Sequence, residues 1–433
     1  MKKKQILLSL SVLSLLNIYQ AKAQTTIDAE IRPRIEYREG FRKPLIDTLA
    51  PSFLTLQRTR LNIDYSGKIL NARISFQDAR IWGNSDNKTN YSKIEMNEAW
   101  FEYLIVSGLS LKMGRQPLKY DDQRLLAAPN WSNTGTSHDV LVAKYNSKII
   151  QMHTGFAFNN SKDTLYNYSY AYTPKQNYKM MNYFWLSKPI YKGLNLTCIG
   201  IVEEFEKKTN NNILYSRVTY GGNLIYSNDS SAWDATLTAY KQEGIDPNKA
   251  FGAKYATLNA YFLAAKGSYK INKKLTVNAG IDYYSGSSTT IATNKSNTFN
   301  RLYGATHSYN GSMEYFVTLP TQGLKDFYCG ISTKITSKFS IDLSGHTFYF
   351  DKKFIYKNVG TEYCLGQEID LTLNYVVSKE ISIQGGYSQF LKSGSTKKYY
   401  KMYNVKTYQP QWAFIMFTIR PQLYKTPVVK ENN

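Results

Sequence analysis

The sequence predicts an all-β protein, an antiparallel transmembrane β-barrel of about 18 strands, from three observations. Short segments alternate apolar and polar residues, so that one face suits lipid and the other water, as over 27–38. Tight turns alternate with long polar loops, as between short periplasmic turns and longer extracellular loops. The chain also has 37 Tyr, 20 Phe and 6 Trp, residue types that form girdles at membrane–water boundaries.

The two-faced pattern repeats along the chain and separates a polar from an apolar face in each predicted strand. Clear copies lie at 58–65, 72–77, 276–283, 340–347 and 368–375. A slip of one residue would put charges in lipid, so the alternation fixes the register. A soluble sandwich also alternates, but its loops do not alternate in length, and a Tyr-rich secreted adhesin or lectin is the weaker alternative.

The connections give the strand number. Short turns are predicted near 66–68, 107–108, 146–148, 188–193, 227–231, 272–274, 337–338 and 378–379. Long loops are predicted near 39–53, 82–93, 118–138, 159–179, 204–213, 242–254, 285–325, 351–366 and 392–408. These connections join eighteen strands, with both termini on the turn side. A loop as long and aromatic as 285–325 is expected to fold over or into the pore.

The N-terminus has the features of a secretory signal peptide, residues 1–23. Lys2, Lys3 and Lys4 precede an apolar run, and Ala21-Lys22-Ala23 is a small-x-small cleavage site. The run is too short for a membrane-spanning helix, which needs ~20 residues. We expect the barrel to occupy 24–420 and a periplasmic tail to occupy 421–433. The expected location is the outer membrane of a Gram-negative cell.

The charge and the motifs exclude several functions. The net charge of +22 would suit a nucleic-acid partner, but the lysines are scattered over turns and loops without a nucleic-acid-binding motif. A phosphate loop, a metal-ligand spacing and a G-x-S-x-G elbow are all absent from the sequence. We therefore expect neither an enzyme nor a cofactor or metal, and no nucleic-acid partner.

Arginine on the predicted lumen face is the main chemical feature. The basic set is Arg32, Arg34, Arg38, Arg58, Arg60 and Arg73, with Arg217 from across the barrel. The acids on the same face are Glu30, Glu36, Asp64, Glu98 and Glu102. Two interpretations stay open: a salt-bridge ladder that stiffens the wall, or unpaired guanidinium groups that guide carboxylate, sulfate or phosphate groups.

Several short motifs resemble the alginate-export (porin-like) outer-membrane family, particularly its Bacteroidetes-type forms. They include QRTRL at 57–61, FQDARIWG at 76–83, EAWFE at 98–102 and GRQ at 114–116. The resemblance implies an eighteen-stranded barrel with an electropositive lumen that exports an anionic polysaccharide or admits small solutes. By position, it places Arg58, Arg60, Arg73 and Arg80 among the pore-lining basic residues.

Together these observations predict a monomeric outer-membrane channel that passes hydrophilic, anionic solutes by diffusion. The predicted lining is Arg32, Arg34, Arg58, Arg60, Arg73, Arg80, Arg217, Asp64, Glu98 and Glu102. The partners would be outer-membrane lipid, small anionic solutes or an anionic polysaccharide, and periplasmic or surface accessory proteins. Two alternatives remain: an exporter of an anionic exopolysaccharide such as alginate, and a plugged structural or adhesive barrel whose loops bind partners or glycans.

Overall fold

The strands come from a computed structural model that describes residues 23–84, 94–160, 178–207, 210–251, 254–288, 294–357, 359–360, 362–402 and 404–427. Eighteen barrel strands lie in this part of the chain. They are β1 (Gln24–Glu39), β2 (Ser52–Ser66), β3 (Leu70–Ile81), β4 (Glu95–Val106), β5 (Leu109–Gln116), β6 (His138–Asn146), β7 (Gln151–Phe158), β8 (Met180–Tyr191), β9 (Leu194–Lys207), β10 (Asn210–Tyr226), β11 (Trp233–Phe251), β12 (Lys254–Lys270), β13 (Leu275–Tyr284), β14 (Leu324–Lys334), β15 (Phe339–Tyr349), β16 (Cys364–Val376), β17 (Ile381–Lys392) and β18 (Gln411–Ile419). A short helix, α1 (Gly394–Tyr399), lies between β17 and β18.

The sheet closes on itself. Each strand pairs antiparallel with the next, and β18 pairs with β1, where Arg38 lies opposite Trp412 and Ile31 opposite Ile419. Closure satisfies the backbone donors and acceptors that an open sheet edge would leave unpaired in lipid. The predicted closed antiparallel barrel of eighteen strands is therefore confirmed.

The sheet continues beyond the predicted end of the barrel at residue 420. Residues Gln422–Lys425 pair with β1, with a register shift between Ile27 and Asp28. Pro421 has no N–H to donate, which interrupts the regular ladder, but its carbonyl oxygen accepts from Ala29 N at 3.1 Å. The described part of the predicted periplasmic tail therefore includes a strand segment.

The outer face carries an apolar band bordered by aromatic rings. Exposed apolar side chains project outward from the middle of the strands, as Leu61, Ile74, Phe101, Leu237 and Ile369 do. Exposed rings mark the turn ends of the strands: Tyr65, Tyr103, Tyr145, Tyr191, Trp233, Tyr269, Tyr375 and Tyr424. Apolar residues between aromatic rings are the outer surface that a lipid-embedded barrel requires.

The connections confirm the eight predicted turns and correct two of the predicted loops. Residues 204–213 and 242–254 do not form long loops, because β9 and β10 are separated by two residues, as are β11 and β12. Bulges at Asn210/Leu214 and Asp246/Ala250 absorb the extra polar residues while pairing continues. Among the remaining predicted loops, 85–93 and 161–177 lie outside the described residues, as does the signal peptide up to residue 22.

Among the described residues, no helix is long and apolar enough to cross a membrane.

Candidate functional site

The lumen face of β1, β2 and β3 brings most of the predicted arginines together. Opposite residues in the register include two arginines, Arg32 and Arg58, and two oppositely charged pairs, Glu30 with Arg60 and Asp64 with Arg73. Strand alternation places all of these side chains inside the barrel. Because Arg32 and Arg58 face each other, neither can accept a hydrogen bond from the other, and both need acceptors elsewhere.

The acceptors come from a loop that folds into the lumen, residues 117–137. Arg32 Nη2 donates to the carbonyl oxygens of Trp131 and Ser132, each at 3.0 Å, and Arg34 Nη1 donates to that of Trp131 at 2.8 Å. Arg58 Nη1 donates to the carbonyl of Ser132 at 3.0 Å, and its Nη2 to Asn130 Oδ1 at 2.7 Å. Three buried guanidinium groups therefore converge on three consecutive loop residues.

Two of these arginines, Arg34 and Arg58, are also held in place by acids of their own wall. Arg58 Nε donates to Glu30 Oε1 at 2.7 Å, and Glu30 accepts from Arg420 Nε at 2.8 Å. Arg34 Nε donates to Glu36 Oε1 at 2.7 Å. The predicted salt-bridge ladder thus exists, and its arginines use their remaining donors on the inward loop. At Arg32, Arg34 and Arg58 the guanidinium groups are engaged with protein acceptors.

A mixed-charge patch lies on the lumen face of β2 to β6. Arg73 Nη2 donates to Asp64 Oδ2 at 3.1 Å, and Arg73 Nη1 lies 3.8 Å from Glu98 Oε1. Glu102 accepts from Ser110 Oγ at 2.7 Å and from Lys144 Nζ at 3.1 Å. These side chains are half-buried, so they retain contact with the lumen.

Two cations of this patch lack an acidic partner. Arg60 Nε donates to Gln77 Oε1 at 2.8 Å, and Lys112 Nζ lies 3.5 Å from the centre of the Trp100 ring. Among the described residues, no carboxylate lies within 4.0 Å of either charge. Sequence reasoning predicted Arg60 but not Lys112, although Lys112 lies opposite Glu102 in the register.

Arg217 and Arg80 lie apart from this cluster. Arg217 on β10 makes a bidentate contact with Glu203 of β9, at 2.8 and 2.9 Å, and both side chains are buried. Arg80 is a correction: it lies opposite Gln57, and alternation from the lumen-facing Arg73 puts it on the outer face. There Arg80 Nε donates to Asp78 Oδ2 at 2.5 Å. Arg80 therefore does not line the lumen.

The second inward loop, called here the 285–323 loop, crosses the lumen in its described residues 294–323. Tyr303 OH donates to Glu203 Oε1 on β9 at 2.6 Å, and Tyr315 OH donates to the carbonyl oxygen of Gly40, directly after β1, at 2.8 Å. These strands lie on opposite walls of an eighteen-strand barrel. The expectation that this loop folds into the pore is therefore confirmed for its described part.

The 285–323 loop is fixed by its own side chains and by wall carboxylates. Met313 N donates to Glu368 Oε1 at 2.7 Å, and Asn310 Nδ2 donates to Asp326 Oδ2 at 3.3 Å. Its aromatic side chains pack on aromatic residues of the wall, and the Tyr315 ring stacks on Phe390 with centroids 4.0 Å apart. Phe299 and Phe316 are buried in the same apolar cluster. The loop therefore has a core of its own.

The two inward loops contact each other. Tyr303 N donates to the carbonyl of Leu125, and Ala305 N to that of Gln123, both at 2.9 Å. The Trp131 ring stacks on His307 with centroids 4.0 Å apart. These contacts join the loops into one internal layer that narrows the lumen.

Arg124 links the layer to the wall. Its side chain is buried, its Nη2 donates to Asp282 Oδ1 of β13 at 2.9 Å, and its Nη1 also contacts Asp282. The guanidinium lies 4.0 Å from the centre of the Tyr309 ring of the other loop. The Arg124–Asp282 contact could not be predicted from the sequence, because a lone arginine in a polar loop does not indicate a buried partner.

Glu314 forms a latch near the loop end of the barrel. Arg42 Nε donates to Glu314 Oε2 at 2.8 Å, and His307 Nδ1 lies 3.0 Å from Glu314 Oε1. Burial raises the pKa of the Glu314 carboxyl, but the contact with His307 and the charge of Arg42 outweigh it and hold the pKa below its ordinary value of 4.5. The latch thus joins the 285–323 loop to the residues that follow β1.

Within the described ranges, no group of three or more His, Cys, Asp or Glu side chains is arranged to hold a metal ion.

A closed barrel with an apolar outer band and a charged lumen narrowed by loops is an outer-membrane channel of porin type. The chain belongs to the alginate export family, which it matches over residues 23–401. Its location is accordingly the outer membrane of a Gram-negative cell. No curated protein matches the chain.

Solved structures share the fold at low sequence identity. OpdO of Pseudomonas aeruginosa is 10% identical with a TM-score of 0.61, covering 92% of this chain and 98% of OpdO. OccAB1 of Acinetobacter baumannii is 12% identical with a TM-score of 0.61, covering 92% and 97%. OpdK of Pseudomonas aeruginosa with vanillate is 12% identical with a TM-score of 0.60, covering 92% and 98%.

Proposed function

We propose that this outer-membrane channel passes small hydrophilic solutes by diffusion and favours anions. The observation that carries the proposal is the pair Arg60 and Lys112, two lumen cations without a carboxylate within 4.0 Å among the described residues. Arginine and lysine along a pore favour anion passage. Diffusion needs no bond chemistry, so the proposal involves neither catalysis nor a cofactor, and it treats the protein as a monomer without a nucleic-acid partner.

We assign two different roles to the arginines that the sequence analysis treated as one set. Arg32, Arg34 and Arg58 spend their donors on the 117–137 loop, so they shape the path. Arg60, Arg73 and Lys112 lie on the lumen face together with Lys144, so four positive charges stand there against the three carboxylates Asp64, Glu98 and Glu102. The preference for anions is therefore expected to depend on the second set.

A small carboxylate is a reasonable first solute to examine. The solved OpdK structure contains vanillate, an aromatic carboxylate, and shares this fold at 12% identity. Guanidinium groups bind carboxylates through two parallel hydrogen bonds, a geometry that Arg60 offers in the lumen.

The test is the reversal potential of single channels in a planar bilayer under a KCl gradient. The mature protein is expected to be anion-selective, and Arg60→Gln with Lys112→Gln is expected to move the reversal potential toward zero. Arg80→Gln is the matched control, because it removes a charge from the outer face. An unchanged reversal potential in the double variant would refute anion guidance by this pair.

Export of an anionic polysaccharide is the second candidate, favoured by the family match over residues 23–401. It requires a polymer to pass the layer formed by the two inward loops. Alginate oligomers added to one side of the bilayer distinguish the two functions. Blockades that lengthen with chain length support polymer passage, whereas brief, length-independent blockades support a small-solute channel.

A further inference from the structure

The short turns carry a repeated pair of side chains that the channel function does not use. A lysine stands next to an exposed apolar residue in Lys68-Ile69, Lys148-Ile149, Lys270-Ile271 and Lys334-Ile335, and two residues from one in Lys188 and Ile190. Ile149 is 74% exposed and Ile69 53%. Hairpin turns ordinarily favour Gly, Asn, Asp and Ser, so exposed isoleucines are not explained by turn geometry.

The aromatic rings at the turn end lie directly beside these pairs. Tyr65 precedes Lys68 by three residues, and Tyr145 precedes Lys148 by the same spacing. Tyr269 is adjacent to Lys270. Passing from strand to turn, the outer surface changes from apolar residues to amphipathic rings and then to lysine. This is the order of environments from acyl chains to lipid phosphates.

The charge at the turn end is strongly one-sided. Eleven lysines lie in or next to the turns: Lys68, Lys148, Lys188, Lys192, Lys270, Lys273, Lys274, Lys334, Lys338, Lys379 and Lys425. The acids in or next to the same turns are Asp229, Asp234 and Glu380. Among the described residues, Lys270 alone of these lysines has a carboxylate within 4.0 Å, Asp234 at 3.8 Å. The ring of lysines, called here the turn collar, is therefore largely uncompensated.

We propose that the turn collar binds the phosphate groups of anionic phospholipids in the inner leaflet of the outer membrane. Each lysine would contact headgroup phosphates while the neighbouring isoleucine lies in the interfacial layer. Exposed isoleucine gains free energy when its apolar area leaves water, which a soluble periplasmic polyanion would not provide. The adjacent isoleucines therefore favour phospholipid over a periplasmic polymer.

Native mass spectrometry of the mature barrel in detergent, with added phosphatidylglycerol or phosphatidylcholine, tests the proposal. We expect preferential retention of phosphatidylglycerol. The combined change Lys68→Gln, Lys148→Gln, Lys188→Gln, Lys273→Gln and Lys334→Gln is expected to lower this preference at least about tenfold, since one lysine near an anionic surface contributes roughly fivefold. Glycerol phosphate, which lacks acyl chains, is expected not to compete.

The control variant loses the same number of lysines, but at the loop end of the barrel instead of the turn end. It carries Lys43→Gln, Lys353→Gln, Lys357→Gln, Lys401→Gln and Lys406→Gln, all at exposed loop lysines. We expect this variant to keep the wild-type preference, and heat-modifiable gel migration verifies that both variants fold. Equal losses in the two variants would assign the effect to net charge and overturn the proposal. Absence of a lipid preference in the wild type, or displacement by glycerol phosphate, would overturn it too.

Discussion

The two inward loops occupy the same lumen, but different polar contacts hold each of them to the wall. The 117–137 loop is bound through its backbone, because the carbonyl oxygens of 130–132 accept hydrogen bonds from wall arginines. The 285–323 loop is bound through its own side chains, including Tyr303 and Tyr315, and packs an aromatic core against the wall. At these contacts the donors for the first loop are wall side chains, whereas the donors for the second loop are its own tyrosines.

Because the two loops have different contacts, substitutions in the wall and substitutions in the loops should affect different parts of the lumen. Changing a wall arginine should release the 117–137 loop and leave the 285–323 core in place. Changing the 285–323 loop should open the lumen without disturbing the β1–β2 arginines. Arg124 belongs to the first loop but reaches Asp282 and Tyr309, so it couples the two.

Shortening the 285–323 loop should have the largest effect on conductance. Replacing residues 299–318 with a short Gly/Ser linker removes the segment that crosses from β9 to the end of β1. We expect single-channel conductance to rise severalfold, as measured in a planar bilayer. Trimming residues 353–357 of a neighbouring loop is the control and should leave conductance nearly unchanged. A folded shortened barrel with wild-type conductance would show that this loop does not limit the path.

Breaking the Arg124–Asp282 pair should have the largest effect on stability. Arg124→Leu leaves Asp282 buried and uncompensated, which costs about 3–5 kcal/mol in the free energy of unfolding. Asp122 retains Lys266 at 3.1 Å, so the loss falls mainly on Asp282. Urea unfolding followed by tryptophan fluorescence measures the change.

The double variant Arg124→Leu, Asp282→Leu sharpens this prediction. Removing both charges eliminates the unpaired carboxylate, and we expect it to recover most of the lost stability. If the double variant were as unstable as Arg124→Leu alone, the packing of Arg124 against Tyr309 would outweigh the ion pair.

Removing hydrogen-bond donors of the wall should loosen the 117–137 loop, with a smaller effect than either of the preceding changes. Arg32→Gln with Arg58→Gln leaves the carbonyl oxygens of Asn130 and Ser132 without charged donors, which costs about 1–3 kcal/mol. Arg34 still donates to the carbonyl oxygen of Trp131. We expect faster proteolysis within 130–134 and a conductance increase smaller than that from shortening 285–323. Arg80→Gln is the control, since its pair with Asp78 is exposed and contributes about 0–1 kcal/mol. Unchanged proteolysis in the double variant would mean that these arginines do not hold the loop.

The features that could be predicted from the sequence are those that follow from strand periodicity, above all the face of the sheet on which each side chain lies. Alternation predicts that Arg32, Arg58, Arg60 and Arg73 share one face of the sheet, and the β1–β2 and β2–β3 registers are regular at all four positions. Arg80 was assigned to the lumen by family resemblance, although an odd spacing from Arg73 in a regular strand puts the two on opposite faces. Odd or even spacing within a strand is therefore a better indicator of the face on which a side chain lies than the family resemblance is.

The contacts of the arginines could not be predicted in the same way. Backbone carbonyls at 130–132 have no sequence signature, so the loop that accepts from Arg32 and Arg58 was not foreseen. The extended β9–β10 and β11–β12 hairpins were missed because polar residues on both faces remove the alternation. Sequence periodicity thus predicts which strand residues face the lumen, but it does not predict the contacts of the loops that fold into it.

Acid should affect the two loops differently, and this is the smallest predicted effect. The lowered pKa of Glu314 means that its ionised form stabilises the latch above the ordinary value of 4.5, and that this contribution is lost as the pH falls through the lowered pKa. Protonation weakens the contact with Arg42, whereas hydrogen bonds from guanidinium to backbone carbonyls do not titrate in this range.

We therefore expect steady currents between about pH 7 and 5, and larger fluctuations as Glu314 protonates below that range. Glu314→Gln, which cannot ionise, should show these fluctuations at neutral pH and lose the pH dependence. Single-channel recordings from pH 7 to 3 measure both. Equal pH dependence in the wild type and the variant would assign the acid response to other carboxylates, such as Glu368 beneath the same loop. In that case protonation of Glu368, rather than of Glu314, would loosen the 285–323 loop, since both carboxylates hold this loop.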